Sequence, residues 1–356
     1  MKKLLLILVV LASLTASVAY AAVGRGVAGL PVRPVPVPPM LYSPWNVWGA
    51  GATEAEIQAS VDGMVSQGLL AAGYNIIQIT EWARGRDAHG NLNSSTSYVP
   101  SGQAALAAYI HAAGMKFGSY IGEGTISCAN ETGSYGHDYQ DILSLASWGV
   151  DYYQMDVSCN LPPLPLTIYT AKMAFERLVR ATNMANVAHG TSMLPVGGVN
   201  QGDTPVWAYG TGIPSVRVGP DMNPVAAWDT TSNAFEVVCV SCSLAGIPVA
   251  SYFGPNHFPD LDALLVGNGL TDIEGQTAMS LWSIQASALT IGTDVRVGHL
   301  SAESLATLTN SDIIAVDQDA LGITGARVSS TVCGSATCEV WAKPNTVHLS
   351  TLTYLT

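Results

Sequence analysis

Short apolar segments alternate with helical stretches along most of this chain, and that alternation leaves few folds open to it. Thr53-Glu54-Ala55-Glu56 reads as a capping box. Ile57, Val61, Met64, Val65 and Leu69 follow at helical spacing, up to a stop at Gly73. A short apolar strand over 74–79 comes next. The pair recurs as a helix over 102–113 with a strand over 116–121, then a helix over 137–147 with a strand over 150–156. A helix over 166–182 precedes a strand-like 185–189. Later strands are expected at 215–218, 248–253 and 288–291, with a helix over 274–285. Strands alternating with helices mean a parallel sheet. About eight such units favour a closed (β/α)8 barrel over an open doubly wound sheet. No glycine-rich phosphate loop follows the first strand, which argues against nucleotide binding.

The two ends read differently from the middle. Lys2-Lys3, an apolar run from Leu4 to about Val18 and then Ala19-Tyr20-Ala21 form a secretory signal peptide over 1–21, implying a secreted or periplasmic protein. The apolar run is too short to span a bilayer. A stiff, proline-rich lead-in covers 22–37, and the barrel is expected over 38–322. From 323 to 356 the pattern changes to short polar-apolar alternation, the start of an antiparallel β-domain that stops too soon to form a sandwich. An incomplete gene product or fragment is therefore expected. A net charge of -12 argues against nucleic acid and anionic membranes as partners. Six cysteines fit an oxidising compartment but are too sparse for a disulfide scaffold. Cys239-Val240-Ser241-Cys242 has no second C-x-x-C beside it, so a structural pair is favoured over a metal site, and no cofactor is expected. Cys333 and Cys338 are placed to staple one hairpin. Asn93-Ser94-Ser95 and Asn130-Glu131-Thr132 are formal glycosylation acceptors.

The chemistry is suggested by two acids. The strand Val150–Asp156 ends on a carboxylate, and alternation puts Tyr152, Gln154 and Asp156 on one face. An Asp after a strand commonly caps a helix or closes a turn, but in a parallel barrel that end of the strand is the mouth where reactions occur. Asp221, in Arg217-Val218-Gly219-Pro220-Asp221, again follows a strand-like segment. Two acids at a barrel mouth suit glycoside hydrolysis, one attacking and the other protonating the leaving oxygen. Trp45, Trp48, Trp82 and Tyr120 fall near predicted strand ends, where aromatic rings can stack on sugar faces, although such residues are more often core.

Several colinear segments now carry a family resemblance. They include Pro39-Met40 through Ser43-Pro44-Trp45-Asn46, Arg86-Asp87-Ala88-His89-Gly90, and His111 to Tyr120. They continue with Cys128 and Gly133-Ser134-Tyr135-Gly136, Trp148-Gly149-Val150-Asp151-Tyr152, Pro259-Asp260-Leu261, Val266-Gly267-Asn268 and Asp317 to Gly322. Together they resemble glycoside hydrolase family 27, the α-galactosidase and α-N-acetylgalactosaminidase group, from about Pro38 to Gly322. The resemblance implies a retaining exo-glycosidase with Asp156 as nucleophile and Asp221 as acid/base. Arg217 would hold the sugar, Trp45 and Tyr120 would line the pocket with Asp260 nearby, and a Cys128–Cys159 disulfide would lie beside the nucleophile. A nucleophile must be ionised and an acid protonated, so the two carboxyls need different environments.

Departures from the family pattern gather around sugar recognition. Thr80-Glu81 stands where the family carries two aspartates, and Gln154 replaces a lysine two residues before the nucleophile. A site built to hydrogen-bond a hydroxyl discriminates strongly. Three readings follow: a rebuilt α-galactosidase pocket; another sugar such as an α-glucoside, α-N-acetylgalactosaminide or β-L-arabinopyranoside; or a silent carbohydrate-binding protein. Retention of Asp156, Asp221, Arg217, Trp45 and Tyr120 favours hydrolysis over silent binding, with terminal α-galactosyl residues as the expected substrate.

Overall fold

The computed structural model describes residues 35–79, 83–156, 168–198, 208–231, 243–244, 247–248, 252–333, 336–346 and 349–355. Its centre is a ring of parallel staves: β1 Met40–Tyr42, β2 Ile76–Gln78, β3 Lys116–Gly122, β4 Tyr152–Asp156, β5 Leu194–Gly197, β6 Ser215–Arg217, β7 Phe258–Asp260 and β8 Leu289–Ile291. Each neighbouring pair from β8 through β1 to β7 is parallel. Closure comes from the segment after β7. Ala263–Leu264 pairs with Thr290 and Ile291 of β8, so one stretch of chain faces both neighbours. This is the (β/α)8 barrel that the alternation implied.

Side-chain alternation splits the apolar residues into two layers. Leu41, Ile76, Tyr152, Val196 and Ala288 form a small cluster inside the ring, while Tyr42, Ile77, Phe117, Tyr153 and Met155 pack outward beneath the helices. The outer layer is much the larger. The helices are α1 Glu54–Ser66, α2 Gln103–Ala112, α3 Asp138–Ser147, α4 Ile168–His189 and α5 Asp272–Ile284, with shorter turns between them. The capping box at Thr53 forms as expected, with the Thr53 N–H donating to Glu56 at 2.7 Å, and Thr271 with Glu274 builds a second. Gly149, at φ +83°, turns the chain out of α3 and into β4.

One strand expectation is corrected. The 185–189 segment is the last turn of α4, because Ala171, Ala174, Phe175, Leu178, Thr182 and Ala185 continue one buried helical stripe. Asn186 then stops the helix by accepting from the Met193 N–H at 2.8 Å, and the stave begins at Leu194. Of the expected strand at 248–253, residues 249–251 lie outside the described residues; Ile247–Pro248 pairs antiparallel with Ser243–Leu244, and a barrel strand is found at Phe258–Asp260. Phe253 is buried and stacks on His257, with ring centroids 5.4 Å apart.

Beyond the barrel, β9 Ala326–Cys333, β10 Ala336–Pro344 and β11 Leu349–Leu355 make an antiparallel sheet. Lys343 anchors it, with its buried Nζ donating to the Val316 carbonyl at 2.6 Å and the Ser283 carbonyl at 3.3 Å. Cys338 is disulfide-bonded. Among the described residues, no helix is long and apolar enough to cross a membrane.

Candidate active site

The C-terminal ends of β1 to β8 share one rim because the sheet is parallel throughout. Asp156 is the last residue of β4 and pairs in register with Gly122, while Gln154 pairs with Tyr120. Its backbone carbonyl accepts from the Glu123 N–H at 2.8 Å. Cys128 Sγ lies 3.6 Å from Asp156 Oδ2. Cys128 is disulfide-bonded, so that sulfur has no proton to donate and the approach is a packing contact. Cys159, Thr80, Glu81 and Trp82 lie outside the described residues, as do Cys239 and Cys242.

One step down the inner face, Gln78 Nε2 donates to Gln154 Oε1 at 2.8 Å. This bond fixes which end of the Gln154 amide is spent. Gly198 follows β5, and a Cβ there would stand 2.6 Å from Gln154 Nε2. Only glycine leaves that amide its place. Trp45 opens a short helix after β1 and keeps 42% of its surface exposed, while Trp48 in the same turn carries the Arg296 guanidinium over its ring at 5.0 Å.

The second acid stands on the other side of the rim. Arg217, at the end of β6, is buried and donates from Nη2 to Asp221 Oδ1 at 2.7 Å and to Asp262 Oδ2 at 2.6 Å. Asp221 itself has 94% of its side chain exposed. Asp262 Oδ2 also accepts from the Met222 N–H at 2.7 Å, and Asn46 Nδ2 donates to the Met222 carbonyl at 2.9 Å. Both backbone polar groups of Met222, the residue next to Asp221, are therefore held. Asp260 lies at the end of β7, with its Oδ1 accepting from the Asp262 N–H at 2.8 Å. Asp262 adopts φ +74°, a left-handed conformation that Asp tolerates better than most residues.

Burial opposes charge on Arg217, but the carboxylates of Asp262, Asp260, Asp221 and Asp156 outweigh it and hold its pKa above the ordinary value. The two acids singled out from sequence thus act on one guanidinium. Burial pushes Asp260 up, against the pull of Arg217. It likewise raises Asp262 to about 6, with Arg217 opposing and Asp260 reinforcing the shift. Arg217 Nε is buried without a partner among the described residues.

Of the sequence-predicted residues, Asp156, Gln154, Tyr120, Arg217, Asp221, Asp260 and Trp45 all lie at or just below the rim ends of staves. Sequence reasoning missed Asp262, Gln78 and the role of Asn46. The Asp260-Leu261-Asp262 spacing was a usable signal, since two acids flank one residue at a stave end. Nothing in the sequence paired Gln78 with Gln154.

Comparison with known proteins follows the same outline. The family profile described as alpha galactosidase A matches residues 51–188 and 225–319. An alpha-galactosidase A from Cellvibrio japonicus is 36% identical over 293 residues, covering 80% of this chain and 68% of that protein. The alpha-galactosidase of Oryza sativa subsp. japonica is 34% identical over 313 residues, covering 86% and 68% respectively. The solved alpha-galactosidase of Saccharomyces cerevisiae superposes with a TM-score of 0.77 at 25% identity, over 87% of this chain and 72% of that one.

Proposed function

The chain belongs to the alpha galactosidase A family, glycoside hydrolase family 27, and from that premise we propose that it hydrolyses terminal α-galactosyl residues by double displacement. It is a glycoside hydrolase, and carbohydrate is its substrate. The observation that carries the mechanism is that Asp156 ends β4 on the same rim where Arg217, ending β6, holds Asp221 at 2.7 Å. In the first step the Asp156 carboxylate attacks the anomeric carbon while Asp221 gives its proton to the leaving oxygen. In the second, Asp221 takes a proton from water, and that water releases the sugar from Asp156 with the original anomeric configuration.

Arg217 and Asp262 make this cycle affordable. Asp221 must alternate between charged and neutral forms, and each time it takes a proton it gives up its ionic partner. Asp262, bonded to the same Nη2, keeps the guanidinium matched while Asp221 is neutral. Because Asp221 is exposed, the desolvation that favours a protonated acid has to come from the bound sugar covering it. Trp45 offers an exposed ring for the apolar face of that sugar. The leader at 1–21 supports export, which puts the reaction outside the cytoplasm.

A second reading, the same chemistry on another sugar, is favoured by the Gln78–Gln154 bond, which presents a neutral amide where the family resemblance implies a cation. The test is a panel of nitrophenyl α-galactoside, α-N-acetylgalactosaminide, α-glucoside and β-L-arabinopyranoside. Fastest turnover is expected on the α-galactoside, and fastest turnover on any other member moves the assignment to that sugar. Asp156→Ala is expected to fall to background, and Asp221→Ala to lose about 10²–10⁴-fold in kcat/KM. Near-wild-type turnover by Asp156→Ala would remove it as the nucleophile.

A further inference from the structure

A second charged cluster lies outside the ring, behind the nucleophile, and no step of the hydrolysis uses it. Glu123 directly follows β3. Alternation along β3 puts Phe117, Ile121 and Glu123 on its outer face, so the Glu123 carboxylate is wholly buried between sheet and helices. There it binds Arg177 Nη2 of α4, the helix that comes after the nucleophile strand. Asp138, the first residue of α3, receives the same guanidinium at 3.4 Å through Nε.

The chain between those two acids matters. Residues 124–137 form the loop that carries Cys128 against Asp156 Oδ2. Its neck is stitched by Ser134 N–H donating to the Gly122 carbonyl and Tyr135 N–H to that of Gly124. Glu123 and Asp138 flank the loop at its two ends, and both end on Arg177. Glu123 also donates its own N–H to the Asp156 carbonyl, so this residue touches the nucleophile's backbone and the clasp at once. From the other side, Arg86 holds the Gly133 carbonyl at 2.8 Å and Asp141.

We propose that Arg177 is a positioning residue, clasping both ends of the 124–137 loop so that Cys128 and the Asp156 backbone keep their places. Holding both ends of a loop removes the chain entropy that would otherwise let it open. Holding a nucleophile in place is worth much of a catalytic rate, since a misplacement of about 1 Å can cost on the order of 10²-fold.

Two acids on one guanidinium carry one negative charge too many if both ionise. Burial first, and then the Asp138 carboxylate, push the Glu123 carboxyl up to about 9, against the pull of Arg177. Below that pH a proton shared by the pair balances the clasp. The groups facing Glu123 are Arg177 from α4, Asp138 from α3 and Tyr153 from β4, whose own hydroxyl bonds Thr182. His137, Gln140, Arg180 and Met184 line a recess beside Asp138 and Arg177, giving the cluster a route to solvent. As pH rises through about 9, Glu123 ionises and the two carboxylates repel, so the clasp loosens on the alkaline side.

The kinetic part of this proposal rests on the hydrolase reading, and its structural part does not. Wild type, Arg177→Met and Glu123→Gln are compared by kcat and KM on the best nitrophenyl glycoside from pH 5 to 10, and by hydrogen exchange of 124–137. Arg177→Met is expected to lose about tenfold in kcat with KM within twofold, and to exchange the loop amides faster. Glu123→Gln, which keeps the shape and removes the ionisation, is expected to hold kcat within about twofold at neutral pH and to keep its loop amides protected above about pH 9, where the wild-type loop loses protection. Unchanged loop exchange in Arg177→Met overturns the clasp. So does an alkaline loss of loop protection that Glu123→Gln leaves in place. An inactive wild type would refute the hydrolase reading while leaving the exchange comparison to decide the clasp.

Discussion

Arg217 and Arg177 are the same side chain set two ways, one at the inner rim of the barrel and one behind it. Arg217 has only 7% of its side chain exposed and stands among four carboxylates, with Asp221 and Asp262 directly bonded. Arg177 is 42% exposed and serves two. Burying ions is expensive unless each is matched. Behind the sheet the surplus charge is absorbed by a proton held on Glu123. At the rim the surplus is left standing, which is what a site needs when its acids must exchange protons with a substrate. Charge matched within the protein makes structure, and charge left for a ligand makes chemistry.

The sharpest way to break this contrast is to remove each cation. Arg217→Met leaves Asp260 and Asp262 buried and uncompensated, and a loss of about 3–5 kcal/mol in urea unfolding is expected, together with loss of measurable turnover. Arg177→Met leaves a partly solvated cluster whose extra charge Glu123 neutralises by holding its proton, so a loss of less than half that size is expected. Equal losses from the two variants would show that the rim carries no special surplus.

Asp262→Asn tests the rim more gently. It keeps the shape and the Met222 contact but removes the charge that holds Arg217 while Asp221 cycles. A charge-assisted hydrogen bond is worth about 1.5–3 kcal/mol, so kcat is expected to fall by roughly 10–100-fold. The pH dependence gives an independent reading. Asp262 titrates near 6 in the folded protein against an ordinary 3.8, so the native state holds a proton there that the unfolded chain has released. Its contribution to stability is therefore fully present below about 3.8 and is lost as pH rises to about 6. In Asp262→Asn that sloping segment should flatten. A slope unchanged from wild type would place the titration elsewhere.

These residues were unequally legible. Barrel, helices and both acids could be read from the chain because each is a local signal: a capping box at Thr53, apolar stripes, a carboxylate where a strand stops. The misplaced stave at 185–189 shows the limit of such signals. There the decisive fact is that Ala185 continues a stripe begun at Ala171. The clasp was invisible for a related reason. Glu123, Asp138 and Arg177 belong to three elements, and only the folded order of sheet and helices brings them onto one guanidinium. Asp262 fell between the two cases, since its spacing from Asp260 was on view but its bond to Arg217 was not.

The smallest expected effect separates recognition from reaction at the rim. Gly198 has no charge and touches no acid named here; its role is to leave room for the Gln154 amide. In Gly198→Ala the new Cβ would lie 2.6 Å from Gln154 Nε2, so the amide must swing and the 2.8 Å bond from Gln78 must stretch or break. Crowding of this kind costs about 1–3 kcal/mol, and an exposed amide end can relieve part of it, so about 1 kcal/mol of stability is expected to go. Arg217, Asp221 and Asp156 are untouched, so kcat should stay within about threefold while KM rises, the pattern of lost binding that is equal in ground and transition states. A fall in kcat as large as that of Asp262→Asn, with KM unmoved, would mean that the Gln78–Gln154 pair helps to set the nucleophile itself and that recognition and reaction are not divided along the β4 strand.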